Sequence, residues 1–199
     1  NGGQGSDGQV LTSTGSGVAF EDASGGAESI NDLTDAKTFG TSSIMLGDAT
    51  TGTIDAANYN TGLGVDVFED LTSGDNNSAF GFFALGNNTS GGNNTVVGAY
   101  AGSLNVDDAE NTIVGYAANY PDGGSRVTAV GSQALNSNTA SDNTAVGSLA
   151  LNATVGGAEN TAVGSRAGIA VTSGDGNDFS GFRAGQTTTT ASANTVIGS

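Results

Sequence analysis

The stretch NTAVGSLAL, residues 143–151, returns as NTAVGSRAG at residues 160–168. Aligned on its glycine, the pattern extends over most of the chain. Gly47, Gly64, Gly81, Gly98, Gly115, Gly131, Gly147, Gly164, Gly181 and Gly198 follow at steps of 17 residues, except for two steps of 16 that end at Gly131 and Gly147. Self-similarity at a fixed period marks a repeat architecture and outranks any local propensity. Four residues before the glycine stands an asparagine, with Ser43 and Val127 as departures, and one residue before it stands Leu, Phe, Val or Ile, with Ser180 as the departure. Three residues after it comes Ala84, Ala101, Ala118, Ala134, Ala150, Ala167 or Ala184.

Successive side chains of a strand point to opposite faces, so in Asn-Thr-Ala-Val the Thr and Val share one face and the Asn and Ala the other. The Val position is the most consistently apolar. The expectation is therefore that Val97, Val114, Val130, Val146 and Val163 form one interior column, with Ala129, Ala145 and Ala162 on the opposite face. The glycine ends the strand by allowing torsions that a Cβ forbids, and stacked asparagines are expected to form a ladder along one edge. The short groups LALN at 149–152 and QALN at 133–136 read as a second strand on the way back. Gly, Asn, Thr and Ser disfavour helix, and no 3.6-residue apolar period persists. The fold class expected is all-β, a repetitive parallel β-roll or β-helix of 17-residue coils.

A coil this short cannot enclose a thick core, so coils must stack and lateral association is expected. Nine steps of about 4.8 Å give a rod of roughly 43 Å. The array spans residues 43–199. Before it, residues 1–28 form a Gly/Ser-rich connecting segment whose strand-like islands at Gln9–Thr12 and Val18–Phe20 suggest a β-hairpin. Residues 29–42, with Ile30, Leu33 and Ala36 three apart behind Ser29 and Asp32, read as a short helical or extended transition.

Composition removes several function classes. The chain has no Cys and no His, which excludes disulfide staples and the usual zinc sites. A formal charge of −16, with only Lys37, Arg126, Arg166 and Arg183 positive, argues against nucleic acid as a partner. No apolar run is long enough to span a membrane as a helix. The 34 glycines show no Gly-X-Y period, so collagen is out. The chain opens on Asn1 and its last unit, NTVIGS, stops mid-repeat; the expectation is that it belongs to something longer.

The unit NTAVGSLAL with its Gly/Asn/Thr-rich return resembles the head repeats of trimeric autotransporter adhesins, the YadA-like head. That resemblance covers residues 43–199 and implies a left-handed β-roll built by three chains. The segment GSDGQVLTSTGSGVAFED, and INDLTDA followed by NTAVG-type repeats, resemble tail fibres of tailed phages, in particular those of marine bacteria and cyanobacteria. The function implied is a structural and adhesive segment of a virion tail fibre, a homotrimer whose partners are other virion tail proteins and a host cell-surface glycan or protein. The alternatives are the head of a bacterial trimeric adhesin, placed on the cell surface, and a fibre-borne polysaccharide depolymerase.

Candidate chemistry is sparse. SGDGND at 173–178 and VDDAE at 106–110 offer Asp175, Asp178, Asp107 and Asp108 as weak calcium ligands, without EF-hand spacing, and solvated turns are the better reading. Paired carboxylates such as Glu69 and Asp70 have no cleft to work in, so no catalytic residue and no cofactor is expected. The sequons at Asn76, Asn87, Asn93 and Asn152 follow from the Asn/Thr-rich composition, and the glycine clusters lack the Lys-Ser/Thr of a phosphate loop. Phe80, Phe82 and Phe83, and again Phe179 and Phe182, read first as core or subunit-seam packing and second as a contact surface for sugar rings. The irregular returns at 103–110 and 119–126, with Tyr120, Pro121, Asp122 and Arg126, are the receptor-contact candidates.

Overall fold

The computed structural model describes residues 9–13, 18–22, 36–39, 41–47, 56–121 and 123–198. They fall in two compact units, Asn1–Thr34 and Asp35–Ser199. In the first, strands β1 (Gln9–Ser13) and β2 (Val18–Asp22) pair antiparallel, Gln9 opposite Asp22 and Ser13 opposite Val18. Of the transition at 29–42, residues 29–35 and 40 lie outside the described residues; Ala36 opens strand β3 (Ala36–Phe39), which pairs antiparallel with β4 (Ser43–Leu46).

From β4 onward the second unit is a parallel β-solenoid with one short strand per coil. The strands are β5 (Thr61–Leu63), β6 (Ser78–Phe80), β7 (Thr95–Val97), β8 (Thr112–Val114), β9 (Thr128–Val130), β10 (Thr144–Val146), β11 (Thr161–Val163), β12 (Asp178–Ser180) and β13 (Thr195–Ile197). Each pairs with the next in sequence, so that Ala145 lies between Ala129 and Ala162, and Val146 between Val130 and Val163. No helix occurs among the described residues.

Two expectations are corrected. The interior column is the middle residue of the strand, not the Val beside the glycine: Ala79, Val96, Ile113, Ala129, Ala145, Ala162 and Phe179 are buried. Val97, Val146 and Val163 are 40%, 36% and 46% exposed, and Val114 and Val130 are half-buried. The reason is width. The lumen closes on the alanines three residues after each glycine, all buried, and on the residue after them, such as Leu85, Leu135 and Leu151. A coil that carries Leu on that side has room only for Ala on the strand side. Secondly, residues 149–152 and 133–136 are turns, not a second strand. Leu149 and Leu151 have φ of 60° and 48°, and Gln133 and Leu135 56° and 53°, left-handed torsions that no strand sustains.

The size rule for the lumen is reciprocal. Gly62 on the strand faces Phe68, and a Cβ on Gly62 would lie 3.0 Å from that ring. Phe179 on the strand is met by Gly185 in its own coil and Gly168 in the coil before, and a Cβ at either would overlap the ring. Packing at crystal-like density demands this exchange, since one wall's surplus volume must be the other's deficit.

The repeated glycine serves a different need. Gly147 has φ of 136°, and a Cβ there would stand 2.5 Å from the carbonyl oxygen of Gly164. Coil-to-coil approach at this corner is backbone on backbone, which only glycine permits.

Two side-chain ladders join the coils. The asparagines before the strands are buried from Asn60 to Asn177, and their Oδ1 accepts from the N–H of the corresponding residue one coil later: Asn77 to Asn60 (2.8 Å), Asn160 to Asn143 (2.9 Å), Asn177 to Asn160 (3.0 Å), and Val127 to Asn111 (2.8 Å). Their Nδ2 groups donate across the coil, Asn60 to the Gly74 carbonyl (2.9 Å) and Asn160 to that of Gly174 (2.8 Å). The expected ladder thus exists, but inside the solenoid and not along an edge. A second ladder, six residues before the glycine, runs in the opposite sense. There the later coil accepts from the earlier one: Asn58 N–H donates to Asp75 (2.7 Å), Ala109 N–H to Ser125 (3.0 Å), Ala158 N–H to Asp175 (2.9 Å) and Asp175 N–H to Ser192 (3.0 Å). Buried amides left without such partners would each forfeit a hydrogen bond and its desolvation.

Candidate functional site

The frame of Asn, Ala and Gly fixes the backbone of every coil and leaves the two residues after the glycine free to vary on the outside. In three successive coils they are Phe82-Phe83, Ala99-Tyr100 and Tyr116-Ala117. Stacking brings them together. Tyr100 is the hub: its ring centroid lies 5.1 Å from Phe82 at 83°, 6.3 Å from Tyr116 at 87° and 6.4 Å from Tyr120 at 74°, with Phe83 at 6.1 Å. Edge-to-face geometry of this kind is the favoured aromatic arrangement.

The patch remains open to solvent. Tyr116 is 57% exposed and Phe82 43%. Tyr116 follows its glycine directly whereas Tyr100 stands one position further on, so the two rings come from adjacent columns of the stack. Tyr100, Tyr116 and Tyr120 surround a surface pocket of about 330 Å³ whose fourth lining residue is buried Ala117. The next coil fixes the backbone beneath it: Gln133 N–H donates to the Tyr116 carbonyl (2.9 Å), and Asn136 Nδ2 donates to the Ala117 carbonyl (3.2 Å).

The receptor-contact candidates are divided by the fold. Tyr120 joins the aromatic patch, Pro121 beside it is exposed, and Asp122 lies outside the described residues. Arg126 stands on another column, where its Nε and Nη2 hold the two oxygens of Asp142 at 2.7 and 2.8 Å. That bidentate hydrogen bond raises the guanidinium pKa and lowers that of the Asp142 carboxyl, both on the surface. In the return at 103–110, Val106 is exposed and its carbonyl accepts from Thr89 N–H (2.7 Å).

The weak calcium candidates do not gather. Asp175 is engaged by the second ladder, Asp178 heads β12 on the exposed side, Asp107 is exposed and Asp108 offers its backbone carbonyl to Asn94 Nδ2 (3.0 Å). Among the described residues no three carboxylates stand close enough to hold a metal. Glu69 is half-buried and Asp70 accepts from Asn87 Nδ2 (2.7 Å), coil to coil. Phe80 lies on the outer face of the sheet, Phe179 fills the lumen, and Phe182 is exposed under the Arg183 guanidinium, 4.9 Å from its ring centroid.

Sequence reasoning found Phe82, Phe83 and Tyr120 but missed Tyr100 and Tyr116. The signal was present: laid out by the repeat, they fall in adjacent columns just after Gly98 and Gly115. Comparison with protein-family models, with characterised proteins and with solved structures gives no match. No helix among the described residues is long and apolar enough to cross a membrane.

Proposed function

We propose that the solenoid is a structural and adhesive segment of a fibre, the tail fibre of a phage virion in the reading that the sequence resemblance favours. It assembles as a homotrimer of left-handed coils, holds distance, and presents its outer corners to a host-surface glycan or protein. The reading is non-catalytic, with other tail proteins as further partners. The observation that carries it is the outer face of the sheet. Leu46, Leu63, Phe80, Val97, Val146 and Val163, each between 36% and 50% exposed, stand on one column beside Val114 and Val130. Single exposed apolar residues are ordinary, but a continuous apolar column along a sheet is the kind of surface that association covers. Threonine alongside, at most of the strand starts, makes that face rich in β-branched residues. The head of a bacterial surface adhesin shares the same repeat and the same outer column; a coiled-coil stalk and membrane anchor in its full gene would select it.

Sedimentation equilibrium tests the assembly. The expected species has three times the 19.3 kDa chain mass, and Val97→Asp with Val163→Asp releases folded monomers. A wild-type chain that sediments as a folded monomer at micromolar concentration overturns the proposal.

A further inference from the structure

We infer that the pocket between Tyr100, Tyr116 and Tyr120 is a subsite for a neutral saccharide, bound through the apolar face of a pyranose ring. The inference rests on the fibre reading and names the ligand class of its contact surface. Three observations carry it together. The rings meet at 74° to 87° around Tyr100, so the rings around the pocket face different directions, as an object with apolar faces and polar edges requires. The pocket, about 330 Å³, is at the small end of ligand sites and matches one or two sugar rings, not a protein surface. Its lining offers hydroxyls and no charged side chain: Tyr100, Tyr116 and Tyr120 each carry a phenol oxygen able to donate and accept, as a sugar's own hydroxyls require. The formal charge of −16 supplies the sign of the selectivity, since it repels polyanionic glycans and leaves neutral ones unopposed. No other described coil carries aromatics in this arrangement; two residues after the glycine, the regular coils place Leu149 and Arg166. The outer apolar column, by contrast, is a continuous ridge, suited to a second copy.

The test uses the 199-residue chain with a panel of neutral oligosaccharides (maltohexaose, cellohexaose, mannohexaose and xylohexaose) and polygalacturonate as the anionic control. The readouts are saturation-transfer NMR and tyrosine fluorescence, which is clean because the chain has no Trp and only Tyr59 outside the patch. The expected result is saturation of pyranose C–H protons by at least one neutral probe and none by polygalacturonate. Tyr116→Ala should weaken that binding about tenfold or more and Tyr59→Ala should leave it unchanged. Absence of binding across the neutral panel overturns the inference, as does binding that survives both Tyr116→Ala and Tyr100→Ala. Dissociation of the oligomer by Tyr116→Ala would make the patch a subunit seam and overturn it equally. A trimer that binds no sugar removes the saccharide subsite and leaves the fibre; a monomer that binds one removes the fibre and leaves the subsite.

Discussion

The coils from Asn143 to Ala167 and those from Asn94 to Gly131 share one backbone frame and use it differently. In the first, the strand reads Thr-Ala-Val twice, every buried Asn before a strand has acceptor and donor partners, and the outer corners carry Ser148 and Ser165. In the second, Val96 and Ile113 replace Ala inside, a step of 16 residues follows Gly115, and the corners carry the tyrosines. Buried polar groups without a protein partner gather in this region: Asn111 Nδ2, the side-chain amides of Asn105 and Asn119, and the Ser103 hydroxyl, against the single Thr154 hydroxyl in the first. Val127 then occupies the ladder position where an Asn would accept from the next coil. Order is concentrated where the surface is bland, and irregularity where it is distinctive, as expected if the frame bears the load and the departures bear recognition.

The largest test of that contrast removes the shared frame. Gly147→Ala forces a Cβ against the Gly164 carbonyl at a φ of 136° and should cost about 4 kcal/mol or more in chemical denaturation. Gly156→Ala, whose Cβ meets nothing within 4 Å, should stay within about 0.5 kcal/mol. Next comes the lumen. Phe179→Ala should lose about 3–5 kcal/mol through the cavity it leaves. Adding Gly168→Leu should recover part of this loss, because Leu135 and Leu151 already hold that position with left-handed torsions, whereas Gly168→Leu alone should be destabilising. A smaller difference separates the asparagine ladder in the two regions. Asn160→Ala removes bonds to Asn177 and Gly174 and should cost about 2–3 kcal/mol; Asn111→Ala should cost about 1 kcal/mol less, since its Nδ2 has no protein partner to lose. The smallest effect is the exposed Arg126–Asp142 pair. Asp142→Asn should lower the midpoint of unfolding only slightly at neutral pH. Because the carboxyl is depressed when folded, whatever the pair contributes is present above the ordinary Asp range and disappears as pH falls through the folded pKa; the mutant's melting curve should therefore differ from wild type least in acid.

The period, the parallel stacking and the asparagine ladder were legible because each rests on a residue type with a narrow conformational or hydrogen-bonding reason to recur. Which face of the strand turned inward was not. Hydrophobicity favours Val146 over Ala145 for the core, yet the lumen is set by what stands opposite, and Leu151 had already taken the volume. The clue was a correlation and not a preference: Gly62 with Phe68, Ala145 with Leu151 and Phe179 with Gly185 trade size within single coils. Likewise the turns at 133–136 and 149–152 hid behind apolar residues, because Leu at a left-handed torsion carries no glycine to announce it. The aromatic site was half visible. Phe82 and Phe83 are neighbours in sequence, but Tyr100 and Tyr116 are neighbours only through the stack.

The two ladders of opposite sense have an evolutionary corollary. Each coil offers its successor an asparagine oxygen and, at most steps where the second ladder is filled, offers its predecessor an Asp, Ser or Asn oxygen, so the top of any regular coil fits the bottom of any other. Recombination or replication slippage between the near-identical stretches at 143–151 and 160–168 would then delete or duplicate a whole coil and leave the asparagine ladder unbroken through Asn143, Asn160 and Asn177. Such events change reach by about 4.8 Å apiece while leaving the aromatic corner untouched. Length is thereby a trait the lineage can adjust in single increments, separately from what the molecule touches.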